Sequence, residues 1–186
     1  MLISIKMRKE IFKEVIIPEG VVAKITGNTV SIKGKQGEII KKFNIRNLTF
    51  KLEGNKIIVG NKKSTKKEKK MINTISAHLK NMLIGVQNRY EYKLKVCSSH
   101  FPITVEVQKG KVTIKNFLGE KIPRVTEVSK DAEIEVKGDV ITVMATDIEV
   151  AGQTAADIER VTRIRNRDRR VFQDGCFIIE KAGVKI

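Results

Sequence analysis

The chain has 186 residues, of which 41% are hydrophobic, so it carries enough apolar side chains for packed cores and is not a disordered basic tail. Its 37 Lys and Arg residues outnumber its 21 Asp and Glu residues by 16, which points to a polyanionic partner and first of all to nucleic acid. A membrane surface is disfavoured as the partner, because the sequence has neither a basic amphipathic helix with bulky apolar anchors nor a lipidation motif.

The N-terminal residues become charged before an apolar run of signal-peptide length accumulates. No apolar run approaches the roughly 20 residues that span a bilayer. We therefore expect a soluble protein inside the cell.

The first half of the chain is typical of strands joined by tight turns. Gly20, Gly27 and Gly54 mark three of the turns, and Gly34-Lys35-Gln36-Gly37 marks a fourth. Between the turns, apolar and polar residues alternate with the period of a half-buried strand. The predicted strands cover residues 10–17, 21–25, 29–32, 38–43, 48–52 and 56–59.

A helix is predicted to complete this half, because the spacing of apolar residues changes from two to that of a helix. Thr65 and Glu68 stand three apart ahead of the helix and predict a capping box. Gly85 lies near the predicted end. The apolar face consists of Ile72, Ile75, Leu79, Met82, Leu83 and Val86.

The second half repeats the first. The strand and turn at residues 30–39 return at residues 112–121, an offset of 82, and the hairpin around Gly54 returns around Gly138, an offset of 84. Thr146 and Glu149 are spaced for a second capping box. The second helix places Ala151, Ala155, Ile158 and Val161 on one face. Further strands are predicted over residues 87–98, 103–107, 112–114 and 134–143.

This repeat predicts an α+β protein of two tandem homologous domains, each an antiparallel β-sheet packed against one α-helix. The predicted domains cover residues 1–87 and 88–186. Two copies are too few for a solenoid, and each copy has enough apolar residues for its own core.

Two groups of lysines are candidate RNA contacts. Lys35 lies in a Gly-x-x-Gly turn whose glycines let the backbone approach a phosphate, although the flanking strands do not fit the helix-flanked RNA-binding fold that uses this motif. Lys66 and Lys67 belong to the cationic run at residues 62–70, where the start of a helix favours a nearby anion. The alternative for this run is a solvated charged face.

The Arg-rich segment at residues 160–170 is the most specific candidate. Guanidinium groups bind phosphate oxygens in pairs and stack on bases. Aromatic residues make up only 5% of the chain and Trp is absent, so we expect a structured RNA recognised by backbone shape and charge. The predicted contacts in this segment are Arg163, Arg165, Arg167, Arg169 and Arg170.

The sequence predicts no catalytic residue, metal or cofactor, and no small-molecule substrate. Cys97 and Cys176 lack the spacing of a zinc site, and no GxxxxGK[ST] motif is present. His100 with Ser98 or Cys97 could serve a hydrolase, but no motif supplies an acid to orient the histidine. We therefore expect a protein that is not an enzyme.

Motifs along most of the chain resemble the large-subunit ribosomal protein six family, called protein nine in eukaryotes. The motif at residues 116–121 is similar to the archaeal and eukaryotic branch of that family. Two departures are Lys35, where the family usually has Pro, and the absence of aromatic residues at 59–61. The matching motifs are IPEGV at 17–21, GNTVSIKG at 27–34, GE at 37–38, HFPI at 100–103, NFLGEK at 116–121, NRD at 166–168 and DG at 174–175.

The resemblance implies two α+β domains docked on large-subunit ribosomal RNA near the base of the factor-binding stalk and the sarcin-ricin loop. It implies that the second domain makes most of the RNA contacts. Beside the five arginines, Lys35, Lys66 and Lys67, the residues expected to contact RNA are Ser98, His100, Asn116, Phe117, Lys121 and Arg124.

The predicted function is that of a structural component of the large ribosomal subunit. The expected partners are ribosomal RNA and neighbouring ribosomal proteins at the stalk base, without a membrane partner. The expected location is the cytoplasm, with nucleolar assembly if the source is eukaryotic. The alternative is a free RNA-binding regulator that acts outside the ribosome.

Overall fold

The computed structural model describes residues 9–43, 48–108 and 110–186. Their contacts divide the chain into two compact units, Met1–Asn88 and Arg89–Ile186, called here the N-terminal and C-terminal units. The limits predicted for two independently folding domains, 1–87 and 88–186, stay a prediction.

The described residues of the N-terminal unit form six antiparallel strands in two three-stranded sheets, with the orders β1-β6-β5 and β2-β3-β4. The hairpin of β2 and β3 turns at Gly27, whose positive φ of 59° favours glycine. The strands are β1 (Lys9–Ile16), β2 (Val22–Thr26), β3 (Thr29–Gly34), β4 (Gly37–Lys42), β5 (Thr49–Glu53) and β6 (Lys56–Ser64).

Helix α1 (Lys66–Gly85) covers these strands and begins at the predicted capping box. The Thr65 side chain accepts a hydrogen bond from the Lys67 amide, and the Glu68 carboxylate accepts one from the Thr65 amide at 2.8 Å. All residues of the predicted apolar face are buried, and all but Ile72 share one core with Val30, Ile32 and Val59 of the sheets. Burial of this face stabilises the unit through the hydrophobic effect.

The C-terminal unit repeats this plan with a five-stranded sheet of order β11-β12-β7-β13-β14 and a three-stranded sheet of order β10-β9-β8. A short 3₁₀ helix spans Phe117–Gly119, and helix α2 spans Ile148–Val161. The strands are β7 (Tyr90–Cys97), β8 (Thr104–Gln108), β9 (Lys111–Lys115), β10 (Arg124–Glu127), β11 (Ala132–Lys137), β12 (Val140–Ala145), β13 (Gly175–Lys181) and β14 (Val184–Lys185).

The predicted fold class of two tandem α+β domains is confirmed, with the strands of each unit shared between two sheets. The second predicted capping box is wrong. The N-cap of α2 is Asp147 rather than Thr146, and its carboxylate accepts a hydrogen bond from the Glu149 amide at 2.9 Å. Asp and Thr are both good N-caps, so spacing alone did not choose between them. Lys109, which lies between the predicted strands at 103–107 and 112–114, is outside the described residues.

Basic charge is unevenly divided along the sequence. Residues 1–88 contain 19 Lys and Arg and 6 Asp and Glu, a net charge of +13, whereas residues 89–186 contain 18 and 15, a net charge of +3. The described part of the chain contains no helix long and apolar enough to cross a bilayer.

Candidate nucleic-acid interface

The Arg-rich segment begins in the last turn of α2, and from residue 162 the chain runs without helix or strand to the start of β13. It turns at Asn166, which adopts a left-handed φ of 58°, a conformation that Asn tolerates better than most residues. All five arginines that the sequence predicted as contacts in this segment are exposed. The segment therefore exposes five guanidinium groups of the C-terminal unit to solvent.

Arg124 holds the beginning of this segment. Its guanidinium donates to both carboxylate oxygens of Glu120, at 2.5 and 2.8 Å, and to the backbone carbonyl oxygens of Val161 and Arg163, at 2.7 and 3.3 Å. The hydrogen bond from Arg124 also lowers the pKa of Glu120, against the opposing effect of burial. Because these bonds use four of the five guanidinium N–H donors, Arg124 positions the segment, and its predicted direct contact with RNA stays a prediction.

Phe117 lies under the same guanidinium. The Arg124 Cζ atom stands 4.3 Å from the centroid of the Phe117 ring, and the ring belongs to the core of the C-terminal unit. Only 1% of Phe117 is exposed. The ring is thus closed off by the protein, and the RNA contact predicted for Phe117 stays a prediction that the burial of its side chain disfavours.

Asn116 and Lys121 flank this buried ring. Asn116 adopts a left-handed φ of 58°, and its Nδ2 donates to the carbonyl oxygen of Pro102 at 3.0 Å. This bond ties the loop at residues 98–102 to the end of β9. Lys121 is exposed and lines a shallow groove with Asn116. Both residues keep surface atoms that RNA can reach.

The loop at residues 98–102 is anchored by Asp174, which is 1% exposed. The Asp174 carboxylate accepts hydrogen bonds from the backbone amides of Ser99 and His100, at 2.6 and 3.0 Å, and lies 2.6 Å from Nδ1 of His100. Burial raises the pKa of Asp174, but the hydrogen bonds from His100 and Ser99 outweigh it and leave the pKa below its ordinary value. Asp174 thus fixes the place of both His100 and the exposed Ser98 beside it.

The contact between Asp174 and His100 corrects the prediction that His100 lacks an orienting acid. The described residues nevertheless place no Ser or Cys side chain in hydrogen-bond contact with the His100 ring. Instead, that ring stacks on Phe172, with centroids 4.8 Å apart and planes 22° apart. Arg167 lies over the same Phe172 ring at 4.8 Å. The arrangement orders a surface and does not activate a nucleophile.

Phe172 and Asp174 were missed as site residues in the sequence. Phe172 is the one aromatic residue between α2 and β13, a position that could have marked it as a support for the neighbouring arginines. Asp174 could not be assigned its role, because its partners Ser99 and His100 lie 75 and 74 residues earlier in the chain.

One predicted arginine is partly neutralised within the protein. Arg170 donates to Asp168 from its backbone amide at 2.9 Å and from Nη2 at 3.0 Å, and hydrogen bonds from Arg170 hold the pKa of Asp168 below its ordinary value. The Arg170 side chain is still 90% exposed. An exposed pair of this kind contributes little to stability, so an RNA phosphate can compete with Asp168 for the guanidinium.

The predicted lysine contacts of the N-terminal unit do not form one patch. Lys35 lies in the turn between β3 and β4, and the next residue, Gln36, donates its amide to the carbonyl oxygen of Val86 just beyond the end of α1. Lys66 and Lys67 lie in the first turn of α1 and are exposed. The 20 residues of α1 therefore separate these lysines by about 30 Å.

A comparison with known families decides the relationship of the chain. The model of the family described as ribosomal protein L6 matches residues 17–89 and again residues 101–175, once in each unit. The chain belongs to the ribosomal protein L6 family. This membership confirms the family predicted from the sequence motifs, and with it a structural, non-enzymatic protein of the ribosome.

Curated relatives match the chain along most of its length. A relative from Methanothrix thermoacetophila is 42% identical over 175 residues, covering 94% of this chain and 99% of the relative. One from Methanobrevibacter smithii is 43% identical and covers 91% and 95%, and one from Staphylothermus marinus is 44% identical and covers 91% and 94%. Each of the three is named large ribosomal subunit protein uL6.

Proposed function

We propose that this protein is a structural component of the large ribosomal subunit that binds and braces folded ribosomal RNA. The observation that carries the proposal is the exposed Arg-rich segment, held at its start by Arg124 and near its end by Asp174. A segment that is already ordered loses little conformational entropy when it binds. Less of the favourable electrostatic free energy is then offset, and the affinity is higher. The names of the large-subunit relatives support the same assignment.

In the proposed mechanism, basic side chains of the protein neutralise RNA phosphates that the folding of the RNA has brought close together. Arg163, Arg165, Arg167 and Arg169 offer forked donors that match phosphate oxygens, and Lys121, Ser98 and His100 extend the contact surface on the same unit. Asn116 contributes a side chain beside Lys121. Lys35, Lys66 and Lys67 add point charges from the N-terminal unit.

The salt dependence of RNA binding tests this mechanism. If six to ten side chains meet phosphates, affinity for deproteinised large-subunit RNA should fall by about 10³- to 10⁵-fold between 50 and 200 mM salt. Filter binding or fluorescence anisotropy over that range gives the slope. A flat response would overturn a mechanism led by phosphate contacts.

The proposed position is the base of the factor-binding stalk and the sarcin-ricin loop, next to other ribosomal proteins. Crosslinking from Lys35, from Lys121 and from residues 163–170 to RNA in purified subunits measures that position directly. Crosslinks that all fall in RNA far from both landmarks would refute it. On this proposal the protein works in cytoplasmic ribosomes, with nucleolar assembly only in a eukaryotic source.

A free RNA-binding regulator is the competing function, because the same charged surface could bind messenger RNA. Sedimentation of a cell lysate through sucrose after a high-salt wash separates the two. Stoichiometric recovery with large subunits supports the ribosomal role, and its absence supports the regulator. A hydrolase that uses His100 is tested by comparing hydrolytic turnover in the wild-type protein and in His100→Ala. We expect no difference between them, and a turnover that is lost in the variant would contradict the structural role.

A further inference from the structure

A groove on the C-terminal unit differs from the rest of the arginine surface because it combines aromatic and cationic walls. It has a volume of about 700 Å³ and lies between the end of α2, the Arg-rich segment and β13. Phe172 and Phe177 line it and are half-buried, whereas three arginines that line it are exposed. The aromatic rings thus form the floor of the groove, and Arg160, Arg163 and Arg169 form its rim.

Phosphate contacts alone do not require such a groove. A phosphate on a helical backbone is bound by cations on an open surface, whereas an unpaired nucleotide offers a flat apolar base joined to an anionic phosphate. A volume of about 700 Å³ lies within the range of sites that enclose small ligands. We propose that the groove takes one unpaired nucleotide of the RNA, with its base on the floor and its phosphate at the rim.

The two aromatic rings have different parts in this site. Phe172 is already in contact with His100 and Arg167, so it is a fixed part of the floor. Phe177 stacks on no other aromatic ring among the described residues, and it packs beside Gly175, where an added Cβ would lie 3.4 Å from its Cζ. Phe177 is therefore the ring on which the base stacks.

Glu159 gives the groove a preference among bases. Its Oε1 accepts a hydrogen bond from the amide of Ile178 at 3.4 Å, and a carboxylate has further lone pairs for other donors. An exocyclic amino group on a base can donate to this carboxylate, whereas uracil has only its N3–H, which lies between two carbonyl oxygens that the carboxylate repels. Guanine, adenine and cytosine are thus favoured over uracil.

Titration of the full-length protein with mononucleotides tests the site itself. In NMR spectra, guanosine 5′-monophosphate should shift the ring signals of Phe177, and uridine 5′-monophosphate and ribose 5-phosphate should shift them several-fold less. Equal shifts with ribose 5-phosphate would identify a phosphate site only, and an unchanged Phe177 ring at saturating nucleotide would exclude the groove. Either result overturns the proposal.

A second titration identifies the source of the nucleotide. With large-subunit RNA already bound, guanosine 5′-monophosphate should no longer shift Phe177, because the RNA base occupies the groove. Persistent shifts would assign the groove to free nucleotides and contradict the proposal. Glu159→Gln should retain the hydrogen bond to Ile178 but reduce the preference for guanosine over uridine.

RNA affinity separates this inference from the proposed function on which it rests. Phe177→Ala should weaken binding of large-subunit RNA by about 10-fold through loss of stacking, with the salt slope unchanged. Val171→Ala removes an exposed apolar side chain from the same segment and is the matched control. Thermal unfolding should show that both variants fold, and Phe177→Leu, which keeps apolar volume, replaces Phe177→Ala if that variant does not.

The outcomes remain distinct. Wild-type protein that fails to bind the RNA refutes the proposed function. Wild-type protein that binds tightly while a folded Phe177 variant binds equally well refutes the groove alone.

Discussion

At the scale of single residues, the proposed interface depends on two side chains, Arg124 and Asp174, that form several hydrogen bonds within the protein. Arg124 and Asp174 each join parts of the chain that are distant in sequence, and each uses several hydrogen bonds to do so. Their contacts set the direction of the exposed arginines and of the loop that carries His100. Substitution of either residue should therefore change RNA affinity or the free energy of unfolding by more than the loss of a single exposed charge would.

We expect Arg124→Lys to weaken RNA binding by about 5- to 20-fold. A lysine keeps the charge, but it cannot form a bidentate pair with the Glu120 carboxylate and also donate to the carbonyl oxygens of Val161 and Arg163. The salt slope should stay close to that of the wild-type protein. Lys121→Ala is the control, since loss of one direct phosphate contact lowers the slope by about 1. A slope that falls equally in both variants would make Arg124 a direct contact instead.

Asp174→Asn should destabilise the protein by about 1–3 kcal/mol at pH 7, because a buried acceptor of three hydrogen bonds loses its charge. The folded-state pKa of Asp174 is lowered, so its contribution is present above the unfolded pKa of about 3.9 and is lost as the pH falls through the folded value. Urea unfolding at several pH values should show the two proteins converging below about pH 4.

Asp168→Asn is the matched control for this experiment, because the pKa of Asp168 is also lowered but the group is exposed. Its stability should follow that of the wild-type protein at every pH. Equal losses in both variants would show that burial of Asp174 has no special effect.

At the scale of elements, the turn between β3 and β4 is fixed by its contact with the end of α1. A Cβ added to Gly34 would lie 2.7 Å from the carbonyl oxygen of Val86 and 2.8 Å from its Cγ2. Neither group is the mobile end of a long side chain, so the turn or the helix end would have to move. Gly34 is thus required for close packing of the turn.

Gly34→Ala should destabilise the N-terminal unit by about 1–3 kcal/mol, as overpacking of a tight contact does. Denaturant unfolding measures the loss. Lys35→Ala changes the next residue in the same turn, whose side chain is exposed, and should leave stability within experimental error. If Gly34→Ala is as stable as the wild-type protein, the turn adapts more readily than the contact distances indicate.

Local patterns predicted the elements better than the site. Alternating strands, Gly turns and the Thr65–Glu68 capping box follow from neighbouring residues, and each is present in the structure. The shift of the second N-cap to Asp147 and the burial of Phe117 depend on choices that spacing cannot make. The positioning role of Arg124 needs carbonyl groups 37 and 39 residues away, which only the folded chain brings together.

At the scale of the whole molecule, charge and specific contacts are divided between the two halves of the sequence. The N-terminal half carries most of the net charge, and the C-terminal unit carries the anchored arginines and the aromatic groove. Diffuse charge accelerates association over long distances, whereas close contacts lengthen the life of a complex. The N-terminal half should therefore affect mainly the association rate constant for RNA, and the C-terminal unit mainly the dissociation rate constant.

We expect the double variant Lys66→Gln and Lys67→Gln to lower mainly the association rate for RNA, and Arg163→Gln with Arg165→Gln to raise mainly the dissociation rate. Stopped-flow binding at two salt concentrations measures both. Lys181→Gln with Lys185→Gln removes the same charge outside both clusters and is the control. Changes confined to dissociation in all three variants would argue against a steering role for the lysines.

The anchoring of the loop at residues 98–102 by Asp174 also sets an order of events during synthesis. That loop leaves the ribosome early in the C-terminal unit, but its anchor and strand β13, which pairs with β7, are made much later. The surface that is proposed to bind RNA cannot assume its final shape until β13 has entered the sheet. A partly synthesised chain therefore lacks the ordered surface. On the proposed function, only a fully synthesised and folded chain can bind RNA through it.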